Sequence, residues 1–389
     1  MNFAFLRNEP AKPNGRSVAV IGAGPSGLAA AGYLACQGYK VRVFDKLPKA
    51  GGLMVFGIPA ERIPESRISA GVERLARDFG VEFRLRTKIC GSEALHKDTG
   101  DHFSADLVSL GDLSQEHDAV IICTGSWRPR KLKIPGEDLA GVYSGLEFLF
   151  PIRAASYESA QVKAVDVRGK KVAVIGAGFS AVDVALSAKA HGAAEVRMLY
   201  RRTRHEAPCG VRDVCAVEEA GCEMAELVTP VRILGEERKE AGDADGVGRA
   251  QVIGVEVVQC RLGEPDDTGR RCPIPDSCAK TVIDADIVVT AIGEIASPPF
   301  AHELGLEEVR RNQVHWLHMT RIEGVFVAGD ALTGPSKIGK AVYSGLRAAK
   351  SLSAWLSLKA VDREDEFQED AVITREDMHS CPWPMQEEA

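Results

Sequence analysis

The chain has 389 residues, 45% hydrophobic and 26% charged. That exceeds the roughly 250 to 300 residues at which a single core stops growing, so two domains are expected. No apolar run approaches the roughly 18 residues of a membrane span, and residues 1–16 lack the basic start and apolar core of an export signal, which points to a cytoplasmic protein. The net charge of −7 sits mostly in residues 361–389, where ten acidic residues face two arginines. The nearly neutral remainder has no basic stripe, which argues against nucleic-acid binding. Ten cysteines are scattered without a C-x-x-C or C-x-x-x-x-C pair, as expected of reduced, mostly buried thiols. Cys209, Cys215 and Cys222 are the nearest grouping, and small apolar fillers explain them better than a metal site does.

In chain order, residues 17–21 (Ser-Val-Ala-Val-Ile) read as a buried parallel strand, 27–37 as a small-residue helix and 40–44 as the next strand. Between strand and helix lies Gly22-Ala23-Gly24-Pro25-Ser26-Gly27. Residues 127–145, with Arg128-Pro129-Arg130 and Ile134-Pro135-Gly136-Glu137, read as a crossover between domains. The plan then repeats: strand 171–175, the turn Gly176-Ala177-Gly178-Phe179-Ser180-Ala181, helix 181–191 and strand 195–200. Residues 284–290 and 324–328 are further short strands, 339–356 is an Ala- and Ser-rich helix, and the pattern stops after residue 360. The expected fold is α/β, with two Rossmann-like dinucleotide-binding domains and the second inserted in the first. The expected bounds are 1–160 and 319–360 for the first domain, 161–318 for the second and 361–389 for an acidic tail.

The first turn carries a complete physical logic. Gly22 permits the tight turn, Gly24 lets the backbone approach a pyrophosphate, and Gly27 lets the helix pack close to the strand with its N-terminus toward the phosphates. Asp45, at the end of the second strand, is placed to accept ribose hydroxyls. In the second turn Ala181 replaces the third glycine, and Tyr200-Arg201-Arg202-Thr203-Arg204 stands where the acid would be. An acid there repels a 2′-phosphate and arginines bind it, so NADP(H) is expected over NAD(H). Two dinucleotide turns in one chain point to hydride transfer between two cofactors. Late in the chain, 325–330 forms a strand ending in Gly329-Asp330. Its carboxylate can hold a cofactor through a hydroxyl or a bound water, and Ser336 and Lys337 lead into a helix whose N-terminus stabilises negative charge.

These residues also carry a family resemblance. Gly51-Gly52-Leu53-Met54-Val55-Phe56-Gly57-Ile58-Pro59 with Arg62, Cys123-Thr124-Gly125, Ile134-Pro135-Gly136-Glu137, the segment Leu199 to Pro208, Ala291-Ile292-Gly293 and Gly329-Asp330 resemble the small subunit of glutamate synthase. They also resemble its relatives in dihydropyrimidine dehydrogenase and in NADH-dependent ferredoxin:NADP oxidoreductase. The resemblance spans roughly residues 17–356. It implies FAD held by Gly22, Gly24, Pro25, Ser26, Gly27, Asp45, Lys46, Gly52, Leu53, Arg62, Thr124, Gly125, Gly329, Asp330, Ser336, Lys337 and Ile338. It implies NADPH held by Gly176, Gly178, Phe179, Ser180, Ala181, Arg201, Arg202, Arg204, Ala291, Ile292 and Gly293.

Two departures from that family matter. Its N-terminal cysteine module for iron–sulfur clusters is missing ahead of the first turn, so no cluster is expected in this chain and a cluster-bearing redox subunit is the expected partner. Phe179 is bulkier than the family's residue, which leaves open a non-catalytic relay subunit with impaired nucleotide binding. A disulfide reductase is disfavoured because no paired cysteines are present. No catalytic acid or base is expected: His205, His315 and His318 read as structural, and Glu206 as orienting an arginine. In the tail, Val372, Ile373, Met378 and Trp383 are apolar islands, read as disordered or as docking on a partner.

Overall fold

A computed structural model of the protein describes residues 1–91, 98–155, 157, 162–237, 250–266, 269–296, 301–311 and 313–361. The acidic tail and its apolar islands therefore lie outside the described residues. The chain forms two compact units: residues 1–128 together with those from 294 onward, and residues 129–293. The second is inserted in the first. The sequence-derived bounds fall elsewhere, at 160/161 and 318/319: Val142–Ser144 pairs in parallel with Ile287–Thr290 and so joins the second unit's sheet, and Leu304, Leu306 and Val309 pack in the first unit's core.

In the first unit five parallel strands lie in the order Val325–Val327, Ala119–Ile122, Ser17–Ile21, Lys40–Phe44, Glu82–Arg84. Two of the three strands read from sequence keep their bounds and align Ser17 with Lys40 through Ile21 with Phe44, while the third, expected at 324–328, is Val325–Val327. Both faces of this sheet are covered, as continuous apolar runs require. Ala19, Ile21, Val120 and Ile122 pack on one side with Leu113, Leu304 and Val309. On the other, Phe326 meets Trp355 of the helix Ile338–Lys359, ring centroids 6.0 Å apart. The helix after the first glycine turn is Pro25–Cys36, and proline suits its first position because that N–H has no helical partner. Every residue from Ser26 to Cys36 is buried, consistent with a helix apolar on all sides.

The second unit repeats this plan. Its parallel sheet runs Glu223–Ala225, Glu195–Leu199, Lys171–Ile175, Ile287–Thr290, Val142–Ser144, with Lys171 aligned to Glu195 and Ile175 to Leu199. The helices Gly145–Ala154 and Phe179–Ala190 supply one face. Ser144 and Glu147 start the former with a reciprocal capping box, satisfying two backbone N–H groups. The other face is covered by an antiparallel sheet of Val228–Glu237, Ala250–Pro265 and Arg271–Asp284, through Ile233, Val252, Val255 and Val257. This sheet was not anticipated from sequence. It also shortens the strand expected at 284–290, because Asp284 ends the antiparallel strand and the parallel one begins at Ile287.

Candidate functional site

The first turn is built by close contact. Gly22 has φ +105°, and a Cβ there would lie 2.3 Å from the Cys123 carbonyl oxygen. A Cβ at Gly27 would lie 1.8 Å from the Gly22 carbonyl oxygen, so the helix approaches the turn only without a side chain. Gly24 differs: a Cβ there would meet nothing within 4 Å, which leaves its backbone open to a ligand at the N-cap of the helix.

Three other segments converge on this turn. Gly52 lies against it, with an added Cβ 2.8 Å from Gly24 Cα, and the Gly51 N–H donates to the Ala23 carbonyl at 2.8 Å. Gly329 lies against Ser26, with an added Cβ 2.5 Å from its Oγ, and the Gly329 N–H donates to Ser344 Oγ at 2.8 Å. Thr124 follows the Cys123 carbonyl, and its buried Oγ1 has no hydrogen-bond partner among the described residues. A buried hydroxyl without a partner beside an open glycine turn fits a polar ligand at this place.

Charge is arranged around the same turn. Asp45 is buried, and its Oδ2 accepts the Ala23 N–H at 2.6 Å while Oδ1 accepts the Leu47 N–H at 2.8 Å. Burial pushes its carboxyl up, and the two N–H donors oppose that by favouring the ionised form. Each oxygen keeps a second lone pair, so the acid both braces the turn and retains accepting capacity. Lys46 Nζ donates to the Thr99 carbonyl at 2.8 Å and pairs with Asp101 at 3.0 Å, 3.9 Å above the Trp127 ring centroid. Burial lowers its pKa and Asp101 opposes the shift. Asp330 accepts Ser336 Oγ–H at 2.6 Å, and burial raises its pKa against that bond. Gly125 has φ +75°, Leu53 begins the short helix Leu53–Phe56, and Lys337 is the residue just before the helix that starts at Ile338. Arg62 is exposed.

The second turn repeats the first turn's contacts at its first two glycines. Gly176 has φ +132°, and a Cβ there would lie 2.3 Å from the Ala291 carbonyl oxygen, as Gly22 does from Cys123. The Ala291 N–H donates to Ile175 at 2.8 Å and the Cys123 N–H to Ile21 at 2.7 Å. Gly178 is open like Gly24, with nothing within 4 Å of an added Cβ. Phe179, half-buried, packs against the helix-side core, and Gly178's open face is unobstructed; exposed Ser180 and buried Ala181 complete the turn. Ile292 packs against the core on the antiparallel-sheet side, and the Gly293 carbonyl accepts the Arg130 N–H at 2.9 Å.

The arginines separate. Arg201 is exposed. Arg202 is buried, with Nε donating to the Arg271 carbonyl at 2.6 Å and Nη2 to Asp266 at 2.8 Å. Arg204 forms a two-pronged pair with Glu218 at 3.0 and 3.1 Å and a further pair with Glu226 at 2.5 Å. The structure thus ties Arg202 and Arg204 into the fold and leaves Arg201 facing solvent. Glu206 accepts the Thr203 N–H at 3.1 Å and caps the turn Arg204–Glu206, whereas Arg202 and Arg204 are held by Asp266, Glu218 and Glu226.

His318 is structural: it is buried, Nδ1 lies 2.8 Å from the Val327 carbonyl, and burial brings its pKa down to about 4. Burial pushes the Cys123 thiol up to about 12, which keeps it protonated and inert. Among the described residues no group of three or more His, Cys, Asp or Glu is gathered to hold a metal ion, and no helix is long and apolar enough to cross a membrane. Sequence reasoning missed Ser344 and the supporting roles of Asp266, Glu218 and Glu226. The turn signal Gly263-Glu264-Pro265-Asp266 was the one available clue to the hairpin that carries Asp266.

Two parallel-sheet units, each with an open glycine turn, define an oxidoreductase of the two-dinucleotide class. The chain belongs to the pyridine nucleotide-disulphide oxidoreductase family, whose pattern matches residues 16–345. It is 33% identical to the small chain of NADPH glutamate synthase from Azospirillum brasilense, over 90% of this chain and 69% of that one. It is 34% identical to the beta subunit of NADP(+)-dependent formate dehydrogenase from Moorella thermoacetica, over 88% of this chain and 44% of that subunit. The chain therefore spans under half of that relative's length. In fold it is similar to FprA of Mycobacterium tuberculosis in complex with NADPH, with a TM-score of 0.69 at 20% identity, covering 91% of this chain and 86% of that one.

Proposed function

We propose that the chain is the pyridine-nucleotide-oxidising flavoprotein subunit of a larger redox complex, taking electrons from NADPH and passing them to an external acceptor. The observation that carries this is the duplicated turn, open at both Gly24 and Gly178, with the buried, unpartnered Thr124 hydroxyl beside the first. FAD belongs to the first unit, where the acid Asp45 suits ribose hydroxyls. NADPH belongs to the second, where cationic Arg201 replaces that acid. When bound, FAD supplies a carrier that accepts two electrons and can release them singly.

The chain's own contribution is binding and orientation rather than proton transfer. The open glycine backbones admit the two pyrophosphates, Thr124 Oγ1 gains a partner, and Asp330 with Ser336 and Lys337 borders the late part of the flavin site. Relatives that carry the names of subunits support an assembly, and a partner bearing iron–sulfur clusters is the proposed electron acceptor. Denaturing the purified full chain and identifying the released flavin tests the cofactor assignment. The expected result is about one FAD per chain, and a substantial loss of FAD in Thr124→Val. Protein that holds no FAD even after reconstitution contradicts the proposal.

A further inference from the structure

The residues Thr124 to Trp127, just past the strand Ala119–Ile122, reach three neighbouring segments of the first unit. They start against the glycine turn, where a Cβ added at Gly22 would stand 3.1 Å from the Thr124 nitrogen. Toward the late segment, buried Ser126 donates from Oγ to the Asp330 carbonyl at 2.8 Å. Toward the end of the strand Lys40–Phe44, Trp127 folds back: its Nε1–H donates to the Thr124 carbonyl at 2.6 Å, and Lys46 Nζ stands 3.9 Å from its ring centroid. Gly125, at φ +75°, supplies the conformation this fold-back needs.

Lys46 is fully engaged where it stands. An ammonium has three N–H donors, and the Thr99 carbonyl at 2.8 Å, Asp101 at 3.0 Å and the indole face account for them. Asp101 is itself fixed, because it also pairs with buried Lys88 and its Oδ2 accepts the Asp98 N–H at 2.8 Å. The ammonium is thus anchored apart from the ring it covers. A cation on an indole face draws electron density from the ring and strengthens Nε1–H as a donor. That donor holds the carbonyl of Thr124, the residue whose buried Oγ1 has no partner among the described residues.

We propose that Trp127 and Lys46 are positioning residues for FAD: Lys46, anchored by Asp101, fixes the indole, and the indole fixes the Thr124 turn so that Oγ1 meets the cofactor. Lys46 acts on FAD through Trp127, in place of the direct contact that the family resemblance implies. This rests on the reading that the first unit takes FAD.

The test is a double-mutant cycle on the full chain, stripped of flavin and titrated with FAD, followed by flavin fluorescence. Trp127→Phe keeps a ring and removes the N–H donor, and is expected to raise the Kd for FAD about fivefold. Lys46→Gln alone is expected to do the same. In the Trp127→Phe background, Lys46→Gln is expected to add less than about twofold, a coupling that two separate structural roles would not produce. Melting of the flavin-free chains establishes that each variant folds; if Lys46→Gln does not, Asp101→Asn, which loosens the hold on Lys46 and keeps its own shape, takes its place in the cycle with the same expected coupling. Losses that multiply in the double variant overturn the action of Lys46 through Trp127, and a folded single variant with wild-type affinity overturns the role of that residue. A wild-type chain that takes up no FAD overturns the reading of the first unit itself.

Discussion

The two glycine turns share a backbone and differ in the residues just past the second strand of each βαβ unit. At Gly22 and Gly176 an added Cβ would lie at the same 2.3 Å from a neighbouring carbonyl oxygen, and Gly24 and Gly178 are equally open. After Phe44 comes Asp45, whose carboxylate braces its own turn by accepting the Ala23 N–H; after Leu199 come Tyr200 and the arginines. On the function proposed above, one scaffold is fitted at its strand end for hydroxyls in one unit and for a phosphate in the other. The lesson is that backbone geometry sets the class of ligand, a dinucleotide, while one or two side chains past the strand choose among dinucleotides.

The third position of each turn offers the largest break in this symmetry. Gly27→Ala places a Cβ 1.8 Å from the Gly22 carbonyl oxygen, so the purified variant is expected to lose FAD and to fold poorly in the first unit. Its mirror, Ala181→Gly, only loosens a buried helix start and is expected to cost about 1 kcal/mol in chemical denaturation. Comparable losses for both would show that the two turns pack alike at this position.

Arg202→Met comes next. Removing a buried guanidinium takes one partner from Asp266 and frees the Arg271 carbonyl, with an expected cost of about 3 kcal/mol in the second unit and equal weakening of NADPH and NADH. Arg201→Gln is the contrasting variant: fold stability is unchanged, NADPH weakens about tenfold and NADH barely changes. If Arg202 rather than Arg201 proves NADPH-selective, the division between bracing and binding arginines is reversed.

A smaller effect separates the units by pH. His318 belongs to the first unit, and its pKa in the folded chain is about 4, below the ordinary value of 6.5. The unfolded chain therefore binds more protons between these values, so this contribution to stability is present above pH 6.5 and is lost as pH falls toward 4. The expected slope approaches about 1.4 kcal/mol per pH unit. Denaturation curves between pH 7 and pH 4.5 should show this decline in wild type and a flatter one in His318→Gln.

The strands that lead into the two glycine turns were legible because their signal is local, whereas the parallel strands Glu82–Arg84, Ala119–Ile122, Val142–Ser144 and Glu223–Ala225 were not read from the sequence. Val18 to Ile21 and Val172 to Ile175 are continuous apolar runs ending in glycine, and the strands keep the bounds read from sequence. The antiparallel sheet was not legible. Its alternation is blurred by exposed Ile253 and Val282 and by a register shift between Val258 and Gln259. The arginine run was only half legible, since a sequence displays charges but not their partners. Those partners lie 64 residues away for Arg202, and 14 and 22 residues away for Arg204. Phe179 illustrates the converse, because its bulk is visible in sequence while its packing against the core is not.

The most direct measurement of the central claim is anaerobic titration of the FAD-loaded full chain with NADPH, monitored by flavin absorbance. The account predicts that the oxidised flavin band bleaches on adding about one equivalent of NADPH per flavin, and less readily with NADH. A flavin that stays oxidised under excess NADPH while dithionite bleaches it would contradict the account.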